Sequence, residues 1–145
     1  MRVDFYHLTA TSLERTLPSI CERLLAASER LLVVTAPERV AALDRELWTY
    51  ATESFLPHAA AGSDRDAGQL ILIASDAEPT NNARNIALAD GKWRDEALSF
   101  DRAFYFFDSA TIDDARASWR ALKDRADTER HYWKQDDNGR WVEGP

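Results

Sequence analysis

The sequence predicts one three-layer α/β domain with a mostly parallel sheet of about five strands flanked by helices. Three observations carry that expectation. Arg30–Thr35 and Gln69–Ala74 are short, almost continuous apolar runs, the pattern of strands covered on both faces of a parallel sheet. Such runs alternate along the chain with segments of helical periodicity. No internal repeat and no Pro- or Gly-rich linker divides the 145 residues, a length within the usual size of one domain.

The elements follow in order. Val3–Leu8 alternates enough to be a first strand. Thr11-Ser12-Leu13-Glu14 has the spacing of a capping box, opening a helix whose buried face would be Ile20, Cys21, Leu24 and Leu25. Pro18 is awkward deep in a helix, so either the helix begins near Pro18 after a separate turn or it is kinked there. After the strand at Arg30–Thr35, Pro37 suits the first turn of a second helix running to about Tyr50. In it Val40, Leu43, Leu47 and Tyr50 recur at spacings of three, four and three. Ala59–Gly68 reads as a loop by composition, Gln69–Ala74 as the third strand, and Asp76–Asn82 as another loop. Arg84–Ala89 is the fourth strand, with Asp90-Gly91 a turn after it, and Ala103–Phe107 the fifth. A long last helix is expected from about Thr111 to Asp127, with Ala115, Trp119, Leu122 and Ala126 on or near its apolar stripe. The terminal run His131–Trp141 is rich in aromatics for a chain end and contains the turn signal Asn138-Gly139. Trp133 and Trp141 are costly to leave in water and should anchor this tail on the domain.

Composition removes several classes of function. A net charge of -7 is the wrong sign for gripping a phosphate backbone, so any direct contact with DNA would be local. Asp and Glu are interleaved with Arg along most of the chain, as on an ordinary soluble surface. Cys21 is the only cysteine, which excludes an internal disulfide and a cysteine-based zinc site and suits a buried structural thiol. No apolar run approaches the ~20 residues that cross a bilayer. The N-terminus starts directly into a strand pattern rather than a signal peptide, and a cytoplasmic protein is expected. The residues after the first strand are Thr9-Ala10-Thr11-Ser12, and the first glycine of all is Gly62, so neither a dinucleotide fingerprint nor a P-loop is present. His7, His58 and His131 lie in separate elements without metal-ligand spacing, and no serine sits in a nucleophile elbow. For His58 the expected role is packing or capping rather than catalysis.

Two surfaces stand out. Trp48 falls off the apolar face of its helix, and with Phe55 close behind it gives an aromatic group that either meets a partner or is covered by a neighbouring loop. On the last helix Arg116, Arg120 and Lys123 recur at spacings of four and three beside the stripe that carries Trp119. Guanidinium groups can hold a carboxylate in a fork. An acidic peptide ending in a hydrophobic residue and a free carboxylate would fit this ridge best, the alternative being a solvated helix face neutralised by Asp113, Asp114 and Asp124.

Leu47-Trp48 followed by Glu53-Ser54-Phe55-Leu56-Pro57-His58, the Phe5-Tyr6 pair, the Arg116-x-x-Trp119-Arg120-x-x-Lys123 helix and the terminal Gly139-x-Trp141 together resemble the chi subunit of bacterial DNA polymerase III. The resemblance covers nearly the whole chain, and its specific part is the segment from Leu47 to His58. It implies a Rossmann-like α/β protein without nucleotide, cofactor or catalytic activity, an accessory subunit of the clamp-loader complex in the bacterial replisome. It further implies that Trp48, Phe55 and Leu56 face the small psi subunit or an equivalent clamp-loader protein. Arg116, Trp119 and Arg120, with Lys123 beside them, would bind the acidic C-terminal tail of single-stranded DNA-binding protein. DNA would be reached only indirectly, and no membrane is involved. Trp119 stands where the better-known members have tyrosine. The competing expectation is a small nucleotide- or nucleic-acid-processing enzyme on the same sheet, motivated only by fold analogy.

Overall fold

A computed structural model describes residues 1–49 and 57–144. Eight strands form one sheet in the order β3-β4-β2-β5-β6-β1-β7-β8. They are β1 (Arg2–His7), β2 (Leu31–Val34), β3 (His58–Ala60), β4 (Ile71–Ala74), β5 (Asn85–Leu88), β6 (Arg102–Phe107), β7 (Glu129–Gln135) and β8 (Trp141–Glu143). Every ladder is parallel except the last, where β8 turns back antiparallel on β7. Among the described residues three α-helices accompany them, α1 (Leu13–Ala26), α2 (Val40–Thr49) and α3 (Ile112–Leu122).

The continuous apolar runs are the fully buried strands, because helices cover the sheet on both sides. On one face Leu17, Ile20, Cys21 and Leu24 of α1, with Leu43 and Leu47 of α2, pack on Tyr6, Leu31, Val33, Ile71, Phe104 and Phe106. On the other, Ala115 and Leu122 of α3 join Ala97 and Phe100 over Val3, Phe5, Leu32, Ile86, Tyr105 and Phe107. Each such Leu, Ile or Phe contributes about 1.5–3 kcal/mol by leaving water.

Several expectations are corrected. The sheet has eight strands rather than five. Ala59 and Ala60, expected in a loop, belong to β3, a three-residue edge strand whose small side chains carry no strand signal. The aromatic tail packs on the domain with Trp133 and Trp141 against Tyr6, as expected, but as part of the sheet: it enters as β7 beside β1 and folds over as β8. β7 is half-exposed along its length, so it never shows an apolar run. Pro18 lies inside α1, which begins before it at Leu13. The capping box does not form: Ser12 is the N-cap and makes no side-chain cap, Thr11 Oγ1 lies 3.1 Å from Thr16 Oγ1, and Glu14 pairs with Arg39. α3 stops at Leu122, well short of Asp127, and Ala126 is exposed rather than on an apolar stripe. Leu122 is the last core residue of that helix, and the chain must then turn to enter the sheet beside β1.

Candidate functional site

The ridge expected on α3 borders a cavity of about 250 Å³, lined by Phe5, Phe107, Ile112, Ala115, Arg116, Trp119, Arg120 and Tyr132. Neighbouring strands supply its floor, since Phe5 of β1 pairs in register with Tyr105 of β6 and Tyr132 of β7. The helix is held in place at its start by Asp108, whose Oδ1 accepts from the Ala110 and Thr111 backbone N–H groups and from the Thr111 hydroxyl. Trp119 stands edge-on to Phe5, with ring centroids 5.1 Å apart, and to Tyr132 at 6.4 Å. Arg130 fixes the indole from behind, its guanidinium 4.2 Å from the ring centroid and its Nη1 donating to the Trp119 carbonyl at 2.7 Å.

An aromatic floor with two guanidinium groups at the rim is suited to an apolar side chain next to a carboxylate. A cavity of 250 Å³ is below the range of about 300–1,000 Å³ usual for small-molecule sites and is of side-chain size. Arg116 is 64% exposed and meets Asp113 only loosely, at 3.9 Å, so little local carboxylate competes for it. Beside the cavity His7 stacks on the lining residue Phe107, with ring centroids 4.8 Å apart, and its Nδ1 lies 3.3 Å from the Tyr132 hydroxyl. Burial holds the His7 imidazole below its usual pKa and Arg116 pushes the same way, while Asp108 opposes them.

Of the predicted ridge, Arg116, Trp119 and Arg120 come together at this cavity, whereas Lys123 is the residue that ends α3 and does not line it. Sequence reasoning missed Phe107, Ile112, Ala115 and Tyr132 as lining residues. Tyr132 belonged to a run noticed for its aromatics, but only the sheet order brings it beside Phe5.

The other predicted surface is described in part. Trp48 is 45% exposed near the end of α2, and its ring lies 4.2 Å from that of His58. His58 is itself buried at the start of β3 and donates from Nε2 to the Asp44 carbonyl at 2.9 Å, a packing and capping arrangement. Tyr50, Phe55 and Leu56 lie outside the described residues.

Open parallel sheets take nucleotides in a crevice at the C-terminal ends of adjacent strands whose connections leave on opposite faces. β1 leads into α1 on one face and its neighbour β6 into α3 on the other, and at their C-terminal ends lies a cavity of about 530 Å³ bordered by Thr9, Ser12, Thr35, Asp90 and Asp108. In such a crevice the backbone N–H groups after the first strand face a phosphate. Here those of Thr9, Ala10 and Thr11 converge on Gln135 Oε1 at 3.1, 2.9 and 3.2 Å. Gln135 Nε2 in turn donates to Thr11 Oγ1 at 3.0 Å and to the Gly139 carbonyl at 3.1 Å. A neutral amide of the chain itself fills the position. Among the described residues no group of His, Cys, Asp and Glu is placed to hold a metal ion, and no helix is long and apolar enough to cross a membrane.

No curated protein matches the chain. A family model does: that of the DNA polymerase III chi subunit, HolC, matches residues 1–128. The match takes in all of α3 and the Trp48 surface and stops one residue short of β7. The chain therefore belongs to the DNA polymerase III chi subunit family.

Proposed function

We propose that the chain is a noncatalytic adaptor of the replisome, docking the acidic C-terminal tail of single-stranded DNA-binding protein on α3 and joining it to the clamp loader. The observation that carries this reading is an apolar, aromatic cavity rimmed by Arg116 and Arg120 on a molecule whose net charge is -7. On so acidic a surface, a paired guanidinium rim beside an apolar hole selects a ligand of the opposite pattern. A peptide whose last residue is hydrophobic can lower that side chain between Trp119 and Tyr132 and leave its terminal carboxylate to the arginines. Upstream acidic residues would then run along the helix toward Lys123. The exposed Trp48, with Phe55 and Leu56 after it, is the candidate surface for psi or an equivalent clamp-loader protein. DNA is reached through the tail and not by direct grip.

The test is titration of a synthetic acidic peptide with a hydrophobic C-terminal residue. Arg116→Ala should weaken it by about 1.5–3 kcal/mol, the usual size of a charge-assisted contact. Lys123→Ala, at the periphery, should cost under about 1 kcal/mol. Raising the salt concentration should weaken the complex of the unsubstituted protein. Equal affinity of the unsubstituted protein and Arg116→Ala would remove this site assignment.

A further inference from the structure

His7 lies beside the α3 cavity, against its lining residues Phe107 and Tyr132, and the docking just described uses neither the His7 imidazole nor the Tyr132 hydroxyl. Tyr132 lines the cavity, and its hydroxyl lies 3.3 Å from His7 Nδ1. His7 is held flat against Phe107, another lining residue, with the two rings 14° from parallel. The direction of this one hydrogen bond decides what the cavity offers to a ligand. With a neutral imidazole that accepts at Nδ1, the tyrosine proton points at His7 and the hydroxyl turns its lone pairs elsewhere. An imidazolium can only donate, so its Nδ1–H takes a lone pair of Tyr132 and releases the phenolic proton toward the cavity.

We infer that His7 and Tyr132 form a proton-controlled latch on the peptide site, in which uptake of one proton by His7 turns the Tyr132 hydroxyl into a donor for the ligand's carboxylate. This rests on the peptide-docking reading of the same cavity. The proton comes from solvent to the imidazole nitrogen, no covalent bond changes, and an incoming carboxylate is met by one more positive charge and one more O–H donor.

Charged and titratable groups face His7 from three elements. From α3, Arg116 disfavours the imidazolium and from the loop after β6 Asp108 favours it, with burial keeping the free-state pKa below the usual value. From β7 come Tyr132 and, next on the chain and past the paired register, the exposed Lys134. A bound carboxylate that occupies Arg116 screens its repulsion and adds attraction, so binding raises the His7 pKa. By linkage the ligand then binds more tightly as pH falls from the neutral range toward and through the raised value. Each pKa unit of that rise is worth up to about tenfold in affinity.

The experiment measures the dissociation constant of the acidic peptide from pH 7.5 down to about pH 5.5, above the range in which peptide carboxylates protonate. The unsubstituted protein should bind several-fold more tightly at the acid end. Once shown by circular dichroism to be folded, His7→Gln should bind with an affinity nearly independent of pH and Tyr132→Phe should keep only the weaker dependence due to the His7 charge, while His131→Gln keeps the full dependence. An NMR titration of the His7 ring should give a higher pKa with peptide than without. If the peptide binds and affinity is flat with pH, or if His7→Gln keeps the dependence, the latch is wrong and the docking site stands. If the unsubstituted protein binds no peptide at any pH, the docking reading falls and takes the latch with it.

Discussion

Asp4 carries a carboxylate into the sheet at no exposed area, and the fold answers it with Arg2 at 3.0 Å, Arg102 at 2.8 Å and the Trp133 indole N–H at 2.9 Å. Burial works to raise its pKa, but these three donors outweigh it, and the group sits below the ordinary value. A depressed carboxyl adds stability above its unfolded pKa and loses it as pH falls through the folded one, so the contribution is complete at neutral pH, begins to be lost near about pH 4 and is gone only below the depressed folded value. Asp4→Asn should therefore cost about 1.5–3 kcal/mol in denaturant melts at pH 7, since both arginines are partly exposed and can rehydrate, and the gap should narrow in melts at pH 3. Cys21 is the opposite case, a group whose burial outweighs the one backbone hydrogen bond that works against it. Burial pushes its thiol up to about 12, so alkylation followed by mass spectrometry should find it inert in the native state and reactive once denatured. That role was legible in the sequence, because a cysteine on the apolar stripe of a helix has one ordinary place to go. The carboxylate of Asp4 was not, because only Arg2 is its neighbour in the chain, while Arg102 and Trp133 reach it from β6 and β7 and no local spacing records them.

Among elements, β7 is the one the sequence hid and the one on which most depends. It supplies Tyr132 to the candidate site, Arg130 behind Trp119, Trp133 to Asp4 and Gln135 to the β1–α1 loop. The buried strands and the helices announced themselves by period, since one or both faces are apolar; a half-exposed strand of Glu, Arg, His, Tyr, Trp, Lys and Gln has no such period. Gln135→Ala leaves three backbone donors without an acceptor. Amide exchange at Thr9, Ala10 and Thr11 should quicken, with a stability loss of about 1–3 kcal/mol, whereas Gln135→Glu, which keeps the accepting oxygen, should protect those amides better. The end of the chain matters in the same way. A methyl group at Gly144 would come within 2.5 Å of the Tyr132 ring, so Gly144→Ala should displace that ring and weaken peptide binding in the same titration.

At the scale of the whole molecule, the parallel sheet with helices on both faces followed from alternating elements, but the strand order that builds the cavity did not, because register and neighbours are long-range facts. With Gln135 filling the nest after β1, ATP, GTP and NAD should leave the melting temperature unchanged. The two surfaces lie on opposite faces: Trp48 with α2, near the β3 edge, and the arginine rim on α3, over β1, β6 and β7. Trp48→Ala should consequently leave peptide affinity unchanged within about 0.5 kcal/mol.

The strand order also makes the sheet a mechanical part. A pull between the α3 cavity and the β3 edge runs across the strands, so the ladders between them bear it as links in series. The β1–β6 link has six paired positions, those from β6 through β5 and β2 to β4 have four each, and β3–β4 has three. Under a load that enters through β3 the three-position β3–β4 link is the one to open first, and the cavity at the far side stays assembled while it yields.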